Sequence, residues 1–281
     1  MCVITYTLIT YYLYNLRSIK GKIIVFKKYM FILMCASLFF VNLGAAFALE
    51  VAGTVERLQG NASVTGASGQ KKLAANAEVF QGDQISTANE AELLLRMTDG
   101  TIIAMRPNTN LVVSEYHFDK NKSNNDHVFI RLLKGGLRTV TGAIGKKNPQ
   151  KVRFSTPTAT IGIRGTDFEL AVIDENKKDA EAGTYNKVFQ GTTYIENSQG
   201  KSVDVNANQA AFSPANALQM AQQFGLLKQI PNVFFNGKYD NLLNLLQKET
   251  LNRLNSEIAS KIPSGVPSQV KDLIPKLGDL F

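Results

Sequence analysis

Residues 156–168 read Thr-Pro-Thr-Ala-Thr-Ile-Gly-Ile-Arg-Gly-Thr-Asp-Phe, and this segment decides the fold class. Its β-branched residues favour a strand, while Gly162 and Gly165 interrupt the strand pattern. A glycine inside a strand marks a β-bulge, a sharp bend or the close approach of another backbone. No recognisable catalytic group lies in the segment. It therefore predicts a compact β architecture with bent strands.

Arg164 lies between these two glycines. We interpret its side chain as structural, because a guanidinium can fork onto a carboxylate or backbone carbonyls and hold a strand bend in place. The alternative is that Arg164 binds an anionic ligand. The basic stretch over residues 134–153 leaves a similar choice. It is either a solvated strand edge, where lysines discourage edge pairing, or a surface that touches anionic glycan, phospholipid or a protein partner.

Short apolar runs separated by turn residues extend from residue 51 to 212 and predict an all-β domain, either a roll, a sandwich or a barrel. Asp99-Gly100 is the clearest turn, because this pair accepts the positive φ angles of a type I′ hairpin. Three hairpins are predicted, with turns at residues 59–61, 98–100 and 134–136.

The later strands alternate apolar and polar residues, which predicts that one face of each is buried. The clearest case is the strand that alternates Phe168, Leu170 and Val172 with Asp167, Glu169 and Ala171. Further runs at residues 185–189, 192–196 and 202–205 are separated by Gln190-Gly191 and Gln199-Gly200, which read as turns.

The composition changes after residue 212, where a helical extension is predicted. Ser213 fits an N-cap and Pro214 the first helical position of a helix over 215–228. A second helix is predicted over 241–260. Its apolar stripe is expected to pack on the β domain or on the other helix, and the alternative is that it binds a partner or a membrane surface. The stripe consists of Leu243, Leu246, Leu251, Leu254 and Ile258.

Residues 1–48 resemble an export signal. Lys27 and Lys28 precede an apolar run, and Ala46-Phe47-Ala48 fits a cleavage site that leaves a mature start near Leu49. An uncleaved membrane anchor is the alternative, and translation from a start near Val25 is a further hypothesis. Both cysteines of the chain lie in this segment, so the mature protein is expected to have no disulfide and no thiol nucleophile.

The formal charge of +8 is concentrated in the same segment, which holds 5 of the 31 basic residues and no acid. The other 26 basic residues face 23 acids, so the net charge of the remainder is +3. A charge this small does not indicate a nucleic-acid partner, and the membrane is expected to be contacted only through the signal segment.

No catalytic, cofactor or metal site is predicted. His117 and His127 lack the spacing of a metal site, and no nucleophile elbow or phosphate loop is present in the sequence. A pair of carboxylates acting on cell-wall glycan stays open as an alternative, with Asp83, Asp99 and Asp167 as its candidates. Asp99 is also explained by its turn alone.

Four ordered blocks, at residues 82–87, 99–101, 133–138 and 156–168, together resemble the FecR domain family. The resemblance implies a β-rich domain outside the cytoplasmic membrane, with no catalytic residues to transfer. The motif residues, which we interpret as structural, are Gly82, Asp83, Asp99, Gly100, Thr101, Gly135, Gly136, Arg138, Thr156, Pro157, Gly162, Arg164, Gly165, Thr166 and Phe168.

The best-studied members of the family are sigma-factor regulators that relay an outer-membrane iron-siderophore signal. Those regulators carry a cytoplasmic helical sigma-binding region ahead of a membrane span, whereas this chain resembles the exported members that contain only the FecR domain. Three segments are expected: a signal peptide (1–48), a FecR-like β domain (49–212) and a helical extension (213–281).

The expected function is that of a non-enzymatic, periplasmic or exported envelope protein, which binds a protein or glycan partner in sensing or surface assembly. The first alternative is trans-envelope sigma-factor signalling together with a separate membrane protein. Hydrolysis of cell-wall glycan is the second.

Overall fold

The computed structural model describes residues 50–121, 123–175, 180–234, 236–245 and 248. The predicted signal segment, both cysteines and the chain beyond residue 248 lie outside this range. Among the residues described, no helix is long and apolar enough to cross a membrane.

The described chain is mostly β-structure with a few short helices, which confirms the predicted fold class. Its strands are β1 (Val51–Gln59), β2 (Ala62–Gly66), β3 (Gly69–Lys72), β4 (Glu78–Phe80), β5 (Gln84–Thr87), β6 (Glu92–Met97), β7 (Ile102–Met105), β8 (Asn110–His117), β9 (His127–Val140), β10 (Val152–Ser155), β11 (Ala159–Ile173), β12 (Gly183–Asn197), β13 (Ser202–Asn206), β14 (Ala210–Pro214) and β15 (Gly225–Leu226). Helices are present at Ala143–Lys147, at Ala217–Gln223 and over 240–245, with 3-10 turns at Ser123–Asn125 and Pro149–Lys151.

All of these strands belong to one hydrogen-bonded sheet with the main order β15-β14-β12-β11-β10-β9-β7-β6-β1-β4. Neighbouring strands are antiparallel except for β9 and β10, which are parallel. Strands β2, β3, β5 and β8 branch from this order and rejoin it through the pairing of β8 with β9. Apolar side chains from both ends of the order, such as Val79 and Ala211, enter one buried cluster, so the strands share a common core.

The predicted hairpin at residues 98–100 is confirmed, because β6 and β7 pair antiparallel on either side of it. Its turn is not the expected type I′. Gly100 has a φ of 84°, but Asp99 does not have a positive φ. The amide of Gly100 donates to the carbonyl of Met97, as in a type I turn followed by a glycine at the bulge position.

The other two predicted hairpins are wrong. β1 pairs with β4 and β6, and β2 pairs with β3 and β5, so the chain turns a corner at Gly60 without pairing the flanking strands. Residues 134–136 lie inside the continuous strand β9. The positive φ of Gly135 (84°) bends β9, whose first part pairs with β8 and β10 and whose second part pairs with β7 and β11.

Two features of the later chain also differ from the prediction. Gln190-Gly191 is a bend inside β12 and not a break, whereas the turn at Gln199-Gly200 does connect paired strands. Ser213 and Pro214 end β14 instead of starting a helix, and the helix that follows is short. Asn216 caps it instead, because its side-chain oxygen accepts from the amide of Leu218 (2.9 Å).

Candidate functional site

The glycine–aspartate motif at residues 82–83 forms the turn between β4 and β5. Gly82 has a φ of 87°, and the Asp83 carboxylate accepts a hydrogen bond from the amide of Phe80 (2.9 Å). The Asp83 side chain also lies against Gly66, where a Cβ would overlap it. Asp83 is thus buried within its own turn.

Asp99 holds together the loops at one end of the sheet. Its carboxylate accepts from the amide and the hydroxyl of Thr101 (3.0 and 2.9 Å) and lies 3.3 Å from the amide of Ile144. The Tyr116 hydroxyl contacts both the amide and the carboxylate of Asp99. Burial, followed by the charge of Asp99, raises the pKa of Tyr116. These contacts leave Asp99 in a structural position.

Residues 156–166 include the turn before β11 and the part of β11 that bends together with β12. The Thr156 hydroxyl caps the turn at its start by donating to the carbonyl of Ala159 (3.1 Å), next to the exposed Pro157. Gly162 lies beneath the ring of Tyr194, which a Cβ would overlap. The Thr166 amide donates to the Thr141 hydroxyl (3.0 Å).

Arg164 does not hold this bend as a buried fork. Its side chain is 62% exposed and contacts Asp204 on β13 at 3.3 Å. The bend is made by Gly165 and Gly191, which both have positive φ and lie so close that a Cβ on Gly191 would overlap the carbonyl oxygen of Gly165. The backbone, rather than a charged side chain, therefore sets the corner.

The outer face of the sheet, opposite the apolar core, carries a buried network of charged residues. Arg138 on β9 binds Asp167 on β11 through two parallel hydrogen bonds of 3.0 and 2.6 Å. Its guanidinium also lies 4.0 Å from the ring centroid of Phe189. Arg138 of the motif set is therefore the partner of Asp167, one of the three candidate carboxylates. Phe168, from the same motif, points to the core and packs edge-to-face on Phe154.

Arg106, immediately after β7, forms the second pair of the network. Its Nε and Nη2 atoms donate to Glu169 at 3.1 and 2.9 Å, and the two side chains are only 1% and 3% exposed. Gly136 gives Arg106 room, since a Cβ there would lie 3.2 Å from the Arg106 Cγ. Gly135 approaches Thr109 so closely that a Cβ would be 2.6 Å from its Cα. The absence of side chains at Gly135 and Gly136 therefore leaves the space that Arg106 and Thr109 occupy.

Residues 236–245, which we call the strap, cross this network. Asp240 accepts two hydrogen bonds from Nη2 of Arg106 (2.9 and 3.1 Å) and lies 3.7 Å from Nη1 of Arg138. Asn244, one turn later, accepts a hydrogen bond from Arg138 (2.7 Å). The strap is also fixed at its start, because the amide of Lys238 donates to Glu92 on β6 (2.9 Å).

An apolar contact completes the docking of the strap. Leu243 is fully buried in a small cluster with Leu94, Ile102 and Ala104 from the outer face of β6 and β7. Tyr239 and Leu242 pack at its edge. Contact of Leu243 with the β domain agrees with the predicted packing of the apolar stripe, whose other members lie beyond the described residues.

Burial sets the electrostatics of the network. It raises the pKa of Asp167 and of Glu169, against the lowering effect of the arginines. Burial lowers the pKa of Arg106, but attraction to Glu169 and Asp240 outweighs it and the pKa is raised. Arg106 therefore stays a cation, while the two sheet carboxylates hold a proton more readily than exposed carboxylates do.

One donor of this network has no acceptor within the described part of the chain. The Nη1 atom of Arg106 is buried and makes no hydrogen bond. Gly237 of the strap covers it so closely that a Cβ would overlap Nη1. A cavity of about 310 Å³ adjoins Arg106 and Glu169, with mainly apolar walls that include Ala171 and Val233. The strap therefore covers the network but provides no hydrogen-bond acceptor for Nη1 of Arg106.

The two histidines are cross-strand neighbours on β8 and β9, with ring centroids 6.1 Å apart. The Nδ1 atom of His117 lies 2.9 Å from the Glu50 carboxylate, and this hydrogen bond raises the pKa of His117. No group of three potential metal ligands occurs among the residues that the structure describes.

Sequence reasoning missed Arg106, Glu169 and Asp240. The sequence did contain a signal for Glu169. Asp167 and Glu169 occupy alternate positions of an otherwise apolar strand. Acidic side chains that are buried in a sheet require cationic partners. The strand register places Arg138 directly opposite Glu169, yet the side chains pair diagonally, Arg138 with Asp167 and Arg106 with Glu169.

The sequence matches one family model, described as FecR protein, over residues 83–207. This range includes both sheet ion pairs and ends before the strap. No curated protein matches the chain. Two crystal structures of candidate anti-sigma factors from Parabacteroides distasonis are similar at 13% identity, with TM-scores of 0.39 and 0.38. Each similarity covers 52% of this chain and 58% of the other protein.

Proposed function

Because residues 83–207 form a FecR domain, we propose that the protein is a non-enzymatic binding protein of the cell envelope, which recognises a protein partner in sensing or surface assembly. One observation carries the proposal. The outer face of the domain holds a polypeptide segment, its own strap, through buried arginines and an apolar patch. A face that binds one such segment has the chemistry to bind another.

The positions of the candidate carboxylates support a binding role over hydrolysis. Asp83 and Asp99 accept hydrogen bonds within their own turns, and the side chain of Asp167, which is 1% exposed, is bound to Arg138. A glycosidase needs two carboxyl groups that face one substrate across a few ångströms. These three carboxylates instead serve three separate structural contacts.

In-cell photocrosslinking in the native host tests the proposal. A photoreactive residue replaces Leu218 or Leu245, which are 86% and 65% exposed. The exposed Gln199, in the turn between β12 and β13, serves as the control position. We expect a discrete adduct with a protein from the first two positions and none from the control. Adducts with glycan alone, or no adduct at either position, would contradict the proposal.

Sigma-factor signalling is the second candidate function, and the FecR domain favours it, because the best-studied proteins of this family regulate sigma factors. In sigma-factor signalling, the protein would act together with a separate membrane protein, and the partner that it binds would be a component of that pathway. Deletion of the gene followed by transcript sequencing tests it. Unchanged levels of every sigma-dependent transcript would exclude this role and leave the binding role intact.

A further inference from the structure

The sheet residues of the outer face are already paired without the strap. Arg106 has Glu169, and Arg138 has Asp167. The strap adds a third carboxylate, Asp240, to two arginines that each hold one. Release of the strap therefore leaves each arginine with one carboxylate. An unpaired buried arginine would be strongly unfavourable, and this outcome is avoided.

The strap is also an incomplete match for the face that it covers. The Nη1 atom of Arg106, at 1% residue exposure, points at Gly237 and finds no acceptor within the part of the chain that is described. A buried donor without a partner weakens binding, because it loses its water and gains nothing in exchange. A ligand that supplied an acceptor at this point would bind better than the strap does.

We infer that the groove beneath the strap is a peptide-binding site, and that its ligand is a segment of a partner protein that displaces the strap. The contacts define the chemistry of this ligand. It carries an aspartate three residues before a leucine, as Asp240 and Leu243 do, followed by an amide or carboxylate that reaches Arg138 as Asn244 does. It also brings an oxygen acceptor to Nη1 of Arg106.

This inference rests on the proposed function and names the kind of partner. A second copy of the chain is a poorer occupant, because its strap would leave the same Nη1 atom without an acceptor. The cavity of about 310 Å³ beside Arg106 and Glu169 provides room for a ligand larger than the strap. A partner segment of different sequence can therefore complete the site.

Fluorescence anisotropy with a labelled peptide of residues 236–245 tests the groove, using the full-length protein. Gly237→Ala in the protein opens the groove, because the added Cβ overlaps Arg106 on the strap side and leaves the sheet residues unchanged. In the wild type the tethered strap competes at high effective concentration. We expect the peptide to bind the Gly237→Ala protein at least about tenfold more tightly than it binds the wild type. An Asp240→Asn peptide should bind the Gly237→Ala protein about tenfold more weakly than the unmodified peptide does, because a charge-assisted contact is lost.

The control is the Asn241→Ala protein, which changes an exposed residue of the strap. It should bind the peptide as weakly as the wild-type protein does. Leu243→Asp serves as a second opening variant, and circular dichroism checks that each variant keeps its β-structure. Equal binding to wild type and both opened variants would overturn the inference, as would loss of selectivity for Asp240. A concentration-dependent dimer of the opened variants without peptide binding would assign the groove to a second copy instead. If these tests fail while the photocrosslinks to a protein persist, the binding function stands and the groove assignment falls.

Discussion

The two faces of β11 are equally buried but are built from opposite chemistry. Phe168 and Leu170 on the inner face are fully buried in the apolar core. Asp167 and Glu169 on the outer face are each 2% exposed and are bound to arginines. One face of this strand therefore lies in the main apolar core, and the other lies in a charged layer between the sheet and the strap.

The difference between these faces is one of specificity. Apolar burial is non-directional and scales with area, so the inner face tolerates neighbours of suitable size. Buried ion pairs gain little net stability, because the loss of hydration offsets their attraction, but a misplaced partner is strongly unfavourable. This contrast assigns most of the stabilisation to the inner face and supports the proposal that the outer face selects the segment that lies on it.

The largest expected effect is on the inner face. Phe168→Ala removes a ring that packs edge-to-face on Phe154 with centroids 5.1 Å apart. Loss of the buried ring and the resulting cavity should lower the free energy of unfolding by about 4 kcal/mol. Urea denaturation followed by circular dichroism measures this. Phe168→Leu, as the matched control, should lose less than half as much. Equal losses would show that the directional ring contact, and not buried apolar volume, stabilises the inner face.

The outer face should respond differently to single and paired changes. Arg138→Met leaves Asp167 buried without its cation and should lower the free energy of unfolding by about 3 kcal/mol. Arg138→Met combined with Asp167→Leu removes both charges and should recover most of that loss. The same denaturation assay gives the coupling between the two sites. If the double variant is less stable than Arg138→Met alone, the ion pair supplies net stability and the contrast between the faces is incorrect.

The inner face was predictable because its signal is local. Alternation of Phe168, Leu170 and Val172 marks a buried side within six residues of sequence, and the structure places all three in the core. The Asp99-Gly100 hairpin was predictable for the same reason, since the strands on both sides are adjacent in sequence.

The other glycine turns were ambiguous because a glycine reports backbone freedom and not chain reversal. Gly60, Gly100 and Gly135 all have positive φ, yet they form a corner, a hairpin turn and a bend within one strand. The difference lies in the strands that pair around each glycine, and these partners are distant in sequence. Gly135, for example, bends β9 between two pairs of neighbours.

The candidate site was only half predictable. The resemblance to FecR domains singled out Arg138, but Arg106 meets Asp240 across 134 residues of sequence. No local pattern marks such a contact. The burial of Asp167 and Glu169 also has no local signal, because an alternating strand predicts that its polar face is solvated.

The strap should open without unfolding the domain. Leu243→Ala removes the fully buried anchor of the strap and should weaken its docking by about 2 kcal/mol, through loss of apolar contact with Leu94 and Ile102. Native-state hydrogen exchange should then be faster at the amide of Leu243 and unchanged in β11. Leu245→Ala, at 65% exposure, is the matched control and should leave exchange unchanged. Equal acceleration in β11 would mean that strap and sheet unfold as one unit.

The smallest effect concerns the partly exposed pair of His117 and Glu50. The hydrogen bond to Glu50 raises the pKa of His117, so the folded state holds the imidazolium proton more tightly than the unfolded state. Stability from this contact is therefore fully present below the unfolded pKa of about 6.5 and is lost as the pH rises through the folded pKa. Because the two side chains are 39% and 37% exposed, we expect less than about 1 kcal/mol. Thermal unfolding from pH 5 to pH 8 should show a slightly smaller decline for His117→Gln than for the wild type. A steeper decline in His117→Gln would reverse the sign of the linkage and show that the contact favours the neutral imidazole.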